Sequence, residues 1–229
     1  GTGGFMLMNT GDKIVESKNG LLSTVAWQIG DKVDYALEGS IFVSGSLMKW
    51  LRDQMQLFEN TKDTQAMAES VENTNGVYIV PAFVGLGAPY WDDACQASIL
   101  GLTFGANKNH IVRAALESMA YQSKDVLEAM RQDSQIDITS MKVDGGAAAN
   151  NFLLQFQSDL LQMPVQRFKT NELTALGAAY LAGLSCGYWT QDELGVELSR
   201  EFVPEKSKKD MDSLYSNWKK AVKTCQSYK

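Results

Sequence analysis

Two glycine-rich segments of the sequence have the composition of loops that bind a phosphate or a nucleoside. Gly1–Gly4 (GTGG) stands directly before an apolar run. Glycines there let backbone N–H groups approach an anion, and the threonine hydroxyl can donate to a phosphate oxygen. Val143–Gly146 (VDGG) precedes a predicted helix start at Asn150, which places bare backbone beside the positive end of a helix dipole. For both segments an ordinary turn remains the alternative.

Two further segments have residues suited to the border of a binding site. Gly45 and Lys49 lie one turn apart in a predicted helix, and a glycine inside a helix costs about 1 kcal/mol relative to alanine. Its presence therefore hints at something lying close to that helix face, with helix packing as the alternative. The run Gly85–Asp92 (GLGAPYWD) combines glycines and aromatic residues, which indicates either a loop held near a site or an ordinary packed loop.

The titratable residues restrict the possible chemistry less strongly than the glycine-rich segments do. Asp92, Asp93 and Asp144 are candidate carboxylate bases or groups around a metal, although solvated acids have the same sequence signature. His110 is the single histidine, so a site with several histidine ligands is excluded and any Ser-His-Asp triad would have to use this residue. Its position at a predicted helix start favours a structural role.

Composition excludes several classes of protein. The 229 residues carry a net charge of −6, which is unfavourable for a general nucleic-acid binder. No apolar run approaches the ~20 residues of a membrane span, and no segment has the pattern of a signal peptide. Three cysteines, Cys95, Cys186 and Cys225, form no C-x-x-C pair. We therefore expect neither a zinc site nor a disulfide framework, and a reducing cytosol is the predicted compartment.

The elements that position these residues follow from hydrophobic periodicity. Helices are predicted over residues 41–58, 61–71, 110–132 with Asn109 as N-cap, 150–161, 174–184 and 207–228. Strands are predicted over residues 5–8, 22–29, 33–37, 77–80, 98–102, 141–143 and 165–168. The first three strands are expected to form an antiparallel meander, and the small residues of the helix over 174–184 should pack on a sheet. Hairpins followed by alternating strands and helices predict one α/β unit with a mixed sheet flanked by helices.

In this order the segments resemble the carboxyl-terminal half of the FGGY carbohydrate kinase family, over essentially the whole chain. The matching runs are residues 1–11, 35–39, 50–53, 73–78, 80–83, 85–92, 101–103, 110–114, 116–118, 143–146, 150–152 and 174–179. GTG-x-FMLMNTG at the start and GLGAPYWD further on point to the branch of the family that phosphorylates glycerol.

The resemblance implies two actin-like, ribonuclease H-like domains that close on MgATP and a polyol. Residues 1–229 correspond to the second, nucleotide-binding domain, so we expect an upstream part of a longer protein to be missing. The catalytic aspartate and the main polar glycerol contacts of the family belong to that first domain. The chain by itself is therefore expected to bind a nucleotide weakly and to be inactive.

The same resemblance assigns binding roles, but no catalytic group and no metal ligand, to residues of this chain. Thr2 would contact the ATP phosphates, while Gly45 and Lys49 would border the nucleotide. Gly146 and Asn150 would hold the adenosine side.

The remaining assigned residue, Phe5, would pack against the carbon backbone of glycerol. Lys49 departs from the family pattern, where glutamine is common, and Gly4 stands where cysteine is common. Two other functions stay open: a kinase of the same family for another substrate such as xylulose or gluconate, and a non-catalytic actin-like nucleotide-binding module. The resemblance also implies a cytoplasmic homo-oligomer.

Overall fold

The computed structural model of the chain describes residues 2–228, so Gly1 of the predicted phosphate loop lies outside the described residues. The first sheet is antiparallel and contains β1 (Gly4–Gly11), β2 (Leu22–Ile29) and β3 (Lys32–Ile41). The predicted hairpin between β2 and β3 is confirmed, with Gly30 at a left-handed φ of 61°. The predicted meander is wrong, because β1 pairs with β3 and leaves β3 in the centre.

The other elements alternate as an α/β chain. They are α1 (Gly45–Asp53), α2 (Thr64–Glu69), β4 (Tyr78–Val80), β5 (Ser98–Leu100), α3 (Lys108–Ser134), β6 (Met141–Val143), α4 (Asn151–Leu161), β7 (Val165–Phe168), α5 (Leu173–Ser185), β8 (Leu198–Phe202) and α6 (Lys208–Ser227). Strands β4 and β5 form an antiparallel pair, whereas β6 and β7 run parallel with β8 antiparallel at the edge. The mixed α/β class is confirmed. Among residues 2–228, every helix is too short or too polar to span a bilayer.

Helix α3 forms the centre of the core, and its predicted apolar face is buried. That face consists of Val112, Leu116, Met119, Val126 and Met130.

The start of α3 differs from the prediction by two residues. Asn107, not Asn109, is the N-cap, and its side chain accepts hydrogen bonds from the N–H groups of Asn109 and His110. His110 Nδ1 accepts from the Asn107 N–H at 3.1 Å. This reciprocal arrangement satisfies donors that a helix start leaves open, so the single histidine has a structural role.

The predicted helix over residues 41–58 is much shorter in the structure. Pairing of Ile41 with Gly4 keeps the chain extended, and α1 begins only at Gly45. Gly45 is therefore the first residue of a helix, where glycine does not have the free-energy cost that it has inside a helix. The choice of glycine at this position is then no evidence that another group lies close to the helix face. Helix α5 also differs: its Ala and Gly residues do not pack on a sheet, and Gly183 alone is buried among the thirteen residues of this helix.

The connection between β1 and β2 is held by Asp133 near the end of α3. Its carboxylate accepts hydrogen bonds from the Ser17 hydroxyl at 2.5 Å, the Lys18 N–H at 3.0 Å and the Asn19 amide at 2.7 Å. Partial burial works to raise the pKa of Asp133, but these hydrogen bonds outweigh it and the pKa lies below its usual value. This connection therefore runs past the end of α3 on its way from β1 to β2, which lies on the far side of β3.

We expect Asp133→Asn to lower the free energy of unfolding by about 1 kcal/mol at neutral pH, because the carboxylate accepts three hydrogen bonds at a half-buried position where water still screens its charge. A carboxyl whose pKa is lower in the folded state stabilises the fold above its unfolded pKa of roughly 3.9. That stabilisation is lost as the pH falls through the folded pKa. Urea unfolding of both proteins at pH 7 and pH 3 measures this, with exposed Asp137→Asn as control. An equal difference at both pH values would contradict the assignment.

Candidate functional site

The second glycine segment forms an open corner between β6 and α4. Gly145 has a φ of 84°, a conformation that favours glycine, and Gly146–Ala149 make one 3₁₀ turn. A Cβ built at Gly145 or Gly146 would meet no protein atom within 4 Å. The corner is therefore bare backbone facing open space, and it lies next to the positive end of the α4 dipole.

Arg167 on β7 stabilises the turn that forms this corner. Its guanidinium donates to the carbonyls of Ala148 at 3.1 Å and Ala149 at 3.4 Å. It also donates to the Asn151 amide oxygen at 3.0 Å. A guanidinium that holds three acceptors fixes the shape of the turn, so the corner is preformed. The only sequence signal for this contact is an arginine within a predicted strand.

Asn150 is held on both sides of its amide. The side-chain oxygen accepts from the Leu153 N–H at 3.1 Å and caps α4. The amide nitrogen donates to the Thr64 hydroxyl at 3.2 Å, and the neighbouring Asn151 N–H donates to the Gln65 side chain at 2.9 Å. Asn150 therefore connects the glycine corner to α2, and a carbonyl lone pair remains for a ligand.

Asp144 closes the opposite side of the corner. Its carboxylate accepts from the Leu173 N–H at 2.9 Å, in the first turn of α5. A carboxylate at a helix N-terminus is stabilised by the helix dipole, so Asp144 fixes α5 beside the corner. Of the other candidate acids, Asp92 accepts from Gln226 at 3.1 Å on the far loop.

Thr2 and Gly45, far apart in sequence, lie together. The Thr2 carbonyl accepts from the N–H groups of Ser44 and Ser46, each at 3.1 Å, and from the Ser46 hydroxyl at 2.9 Å. Gly3 follows so close to β3 that a Cβ would lie 2.5 Å from the Ile41 carbonyl. The start of β1 is therefore fixed against the first turn of α1, with the Thr2 side chain exposed.

Lys49 and Phe5 both face solvent. Lys49 is exposed one turn after Gly45 on α1. Phe5 is 68% exposed on the β1 face that also carries Leu7, at 60%. Two large apolar side chains on an open sheet face present a surface on which an apolar part of another molecule can pack.

Apolar contacts connect β1 to β6. Met8, near the end of β1, contacts Ser134 at the end of α3 (Oγ–Sδ 3.8 Å), shortly before β6 begins. Met6 of β1 and Met141 of β6 pack against the same apolar cluster. The strand that follows Thr2 and the strand that leads into the glycine corner are therefore held on one part of the core.

Helix α2 is held in place for its contact with Asn150 by Arg113 of α3. The guanidinium donates to the carbonyls of Ala68 and Val71, lies 4.9 Å from the Phe152 ring centroid, and pairs with Glu117 at 2.9 Å. Burial raises the pKa of Glu117, and the arginine acts against that increase. The pair thus ties α2, α3 and α4 together behind the corner.

A concave cavity lies away from this corner. It measures about 820 Å³ and is lined by the end of α1 and the start of α3, including Arg52, Asp53, Asp63, Met67 and Lys108. None of the residues predicted to bind a nucleotide lines it. Among residues 2–228, no group of three or more acidic, histidine or cysteine side chains is arranged to hold a metal.

Comparison with known proteins decides the family. The profile of the FGGY family of carbohydrate kinases, C-terminal domain, matches residues 1–186. The chain belongs to the FGGY family. Over the whole chain it is 57% identical to the glycerol kinase of Geobacillus kaustophilus and 56% identical to that of Thermus thermophilus. It covers 47% of each, so it spans about half the length of the curated relatives it matches.

Solved structures agree with this family assignment. The crystal structure of Plasmodium falciparum glycerol kinase with ADP matches 98% of the chain and 46% of that protein, with a TM-score of 0.90 and 38% identity. Gluconate kinase from Lactobacillus acidophilus matches 97% of the chain and 46% of that protein with a TM-score of 0.81, at 21% identity, which supports the fold alone. The actin-like α/β fold implied by the family resemblance is confirmed.

Proposed function

We propose that this chain is the nucleotide-binding half of a glycerol kinase, which transfers a phosphoryl group from ATP to a hydroxyl of glycerol and gives sn-glycerol 3-phosphate and ADP. The observation that carries the proposal is the preformed corner at Gly145 and Gly146, open to ligand and braced by Arg167. The chain's identity of 57% to a glycerol kinase supports the choice of substrate.

The nucleoside would lie on the glycine corner. Bare backbone at Gly146 accepts the flat face of a base or ribose without steric conflict, and Asn150 offers its side-chain oxygen from a fixed position. The phosphates would extend toward the start of β1. There the Thr2 hydroxyl donates to a phosphate oxygen, and Gly45 and Lys49 border the nucleotide on α1.

The polyol would contact the exposed ring of Phe5. Packing an apolar ring on the carbon backbone of glycerol positions it without contributing polar contacts. The chain supplies no assigned base, and phosphoryl transfer depends mainly on positioning and on stabilising charge. We therefore place the proton-accepting aspartate on an amino-terminal half that closes over this one.

ATP would bind as its magnesium complex, and Mg²⁺ then neutralises charge on the transferred phosphoryl group. No residue of this chain is assigned as a metal ligand. The residues here would instead orient the nucleotide and exclude water once the two halves close. On the family resemblance we also propose that the complete protein is a cytoplasmic homo-oligomer.

The gene product that contains this chain should phosphorylate glycerol and prefer it over xylulose and gluconate by at least about 100-fold in kcat/KM, since a site built to bind particular hydroxyls rejects mismatched analogues strongly. ADP release in the presence of each substrate measures the preference. The chain alone should bind ADP without turnover. A stronger reaction with either sugar substrate would reject the glycerol assignment.

A non-catalytic nucleotide-binding module is the other candidate, favoured by the lack of an assigned base in this chain. The same assay separates the two functions. A module would bind ADP but release none above the background rate in the complete gene product, whatever polyol is present.

A further inference from the structure

Two cysteines that are 130 positions apart in sequence meet in the core. Cys95 precedes β5 and Cys225 lies near the end of α6, and they are 2% and 1% exposed. Their sulfurs are 2.8 Å apart and are not joined by a disulfide. The wide spacing of the three cysteines and the lack of a C-x-x-C pair give no sign of this contact in the sequence. The fold brings two of them into contact.

The surroundings hold both sulfurs in place. The Cys225 thiol donates to the Gln96 carbonyl at 2.8 Å, and the Ser98 hydroxyl donates to the Cys225 sulfur at 3.6 Å. One residue further along α6, Gln226 donates to Asp92 at 3.1 Å. The end of α6 is thereby attached to the segment that carries both Asp92 and Cys95.

We propose that Cys95 and Cys225 are a site of reversible oxidation that forms a disulfide between α6 and this segment. Bonded sulfurs lie 2.03–2.05 Å apart, so the two sulfurs need to approach by under about 1 Å. Neither element has to cross the protein, because the side chains already face one another in the core.

The oxidant is a low-molecular-weight disulfide. One cysteine thiolate attacks a sulfur of that disulfide, forms a mixed disulfide and releases one small thiol. The second cysteine thiolate then attacks the cysteine sulfur of the mixed disulfide and releases the second small thiol. Two protein thiols are oxidised and one small disulfide is reduced to two thiols, so electrons and protons balance.

Access comes from the end of α6. Cys225 lies in the last turn, and Tyr228 beyond it is 72% exposed. Helix ends open at low cost compared with global unfolding, so the buried thiol pair can meet the oxidant without loss of the fold. Exposed Cys186 provides an internal comparison, since it should react with the same oxidant while Cys95 and Cys225 lie in the core, in contact with one another.

The test uses the complete gene product, incubated with oxidised glutathione and digested without reduction. Wild type and Cys186→Ala should both give a peptide pair linked through Cys95 and Cys225, removed by dithiothreitol. A cross-link that closes a loop of this length restricts the unfolded chain, and Tm should rise by on the order of 5 °C. Cys225→Ala should give neither effect.

The peptide map of the wild-type protein decides the proposal even if a variant folds poorly. Complete modification of Cys186 shows that the oxidant is active. If Cys186 is modified while no linked Cys95–Cys225 peptide forms, or if linked peptides join Cys186 only, the proposal is wrong. This outcome is independent of glycerol phosphorylation, so failure here leaves the proposed function intact.

Discussion

Gly146→Val should weaken ADP binding by about 10-fold to 100-fold while leaving the fold intact. The substitution places two methyl groups where the nucleoside would lie, and overlap of this size costs about 1–3 kcal/mol. The protein itself has room for the side chain, because a Cβ at this position meets no atom within 4 Å. Gly146 also lies outside the left-handed φ region, unlike Gly145. Calorimetric titration with ADP measures the affinity.

The matched control for this change is Gly195→Val. Gly195 likewise has no atom within 4 Å of a built Cβ and no left-handed φ, but it lies in the connection before β8. Its substitution should leave the ADP affinity within about twofold of wild type, since it adds the same side chain away from the corner. Equal affinities for wild type and Gly146→Val would remove this residue from the nucleotide site.

The parts of the site that the sequence predicted are those encoded locally. A strand that runs into two glycines and a capped helix is a short-range pattern, and the structure has the corner where that pattern places it. The cap at Asn150 follows the same rule, because an asparagine side chain reaches N–H groups only a few residues away.

The parts that sequence reasoning missed depend on contacts between distant segments. Arg167 reaches the corner from β7, and Thr64 and Gln65 reach it from α2. Nothing in the spacing of these residues indicates the contact. The short helix after β3 was mispredicted for the same reason: apolar periodicity continues from Ile41, but pairing with Gly4 keeps the backbone extended.

The last helix illustrates how far the domain depends on such contacts. Helix α6 lies beyond residues 1–186, which the family profile covers. Its amphipathic pattern was correctly predicted, and Trp218 and Val222 belong to the main core. A buried carboxylate on α3 fixes the register of α6 against α3. The amphipathic pattern of α6 does not reveal this contact.

Asp125→Ala should therefore destabilise the protein more than any other single polar substitution that we predict. The Asp125 side chain is fully buried on α3 and accepts from the Tyr215 hydroxyl at 2.6 Å, the Trp218 indole at 2.8 Å and Lys219 at 3.3 Å. Burial, and then the charge of Asp125, raises the pKa of Tyr215, so that hydroxyl stays a donor. Alanine would leave buried donors without their acceptor.

Removing one partner of such a buried charged group costs about 3–5 kcal/mol, which for a chain of this size corresponds to a fall in Tm of roughly 6–20 °C. Asp125→Asn should cost less stability than Asp125→Ala, because the amide retains one acceptor oxygen. Some cost should remain, because the amide N–H groups would face other hydrogen-bond donors. Asp53→Ala is the control, since Asp53 pairs with Arg52 on the surface and exposed pairs contribute about 0–1 kcal/mol. Thermal unfolding followed by circular dichroism ranks the three variants. A loss at Asp125 no larger than that at Asp53 would mean that apolar packing alone, and not the carboxylate, holds α6 on α3.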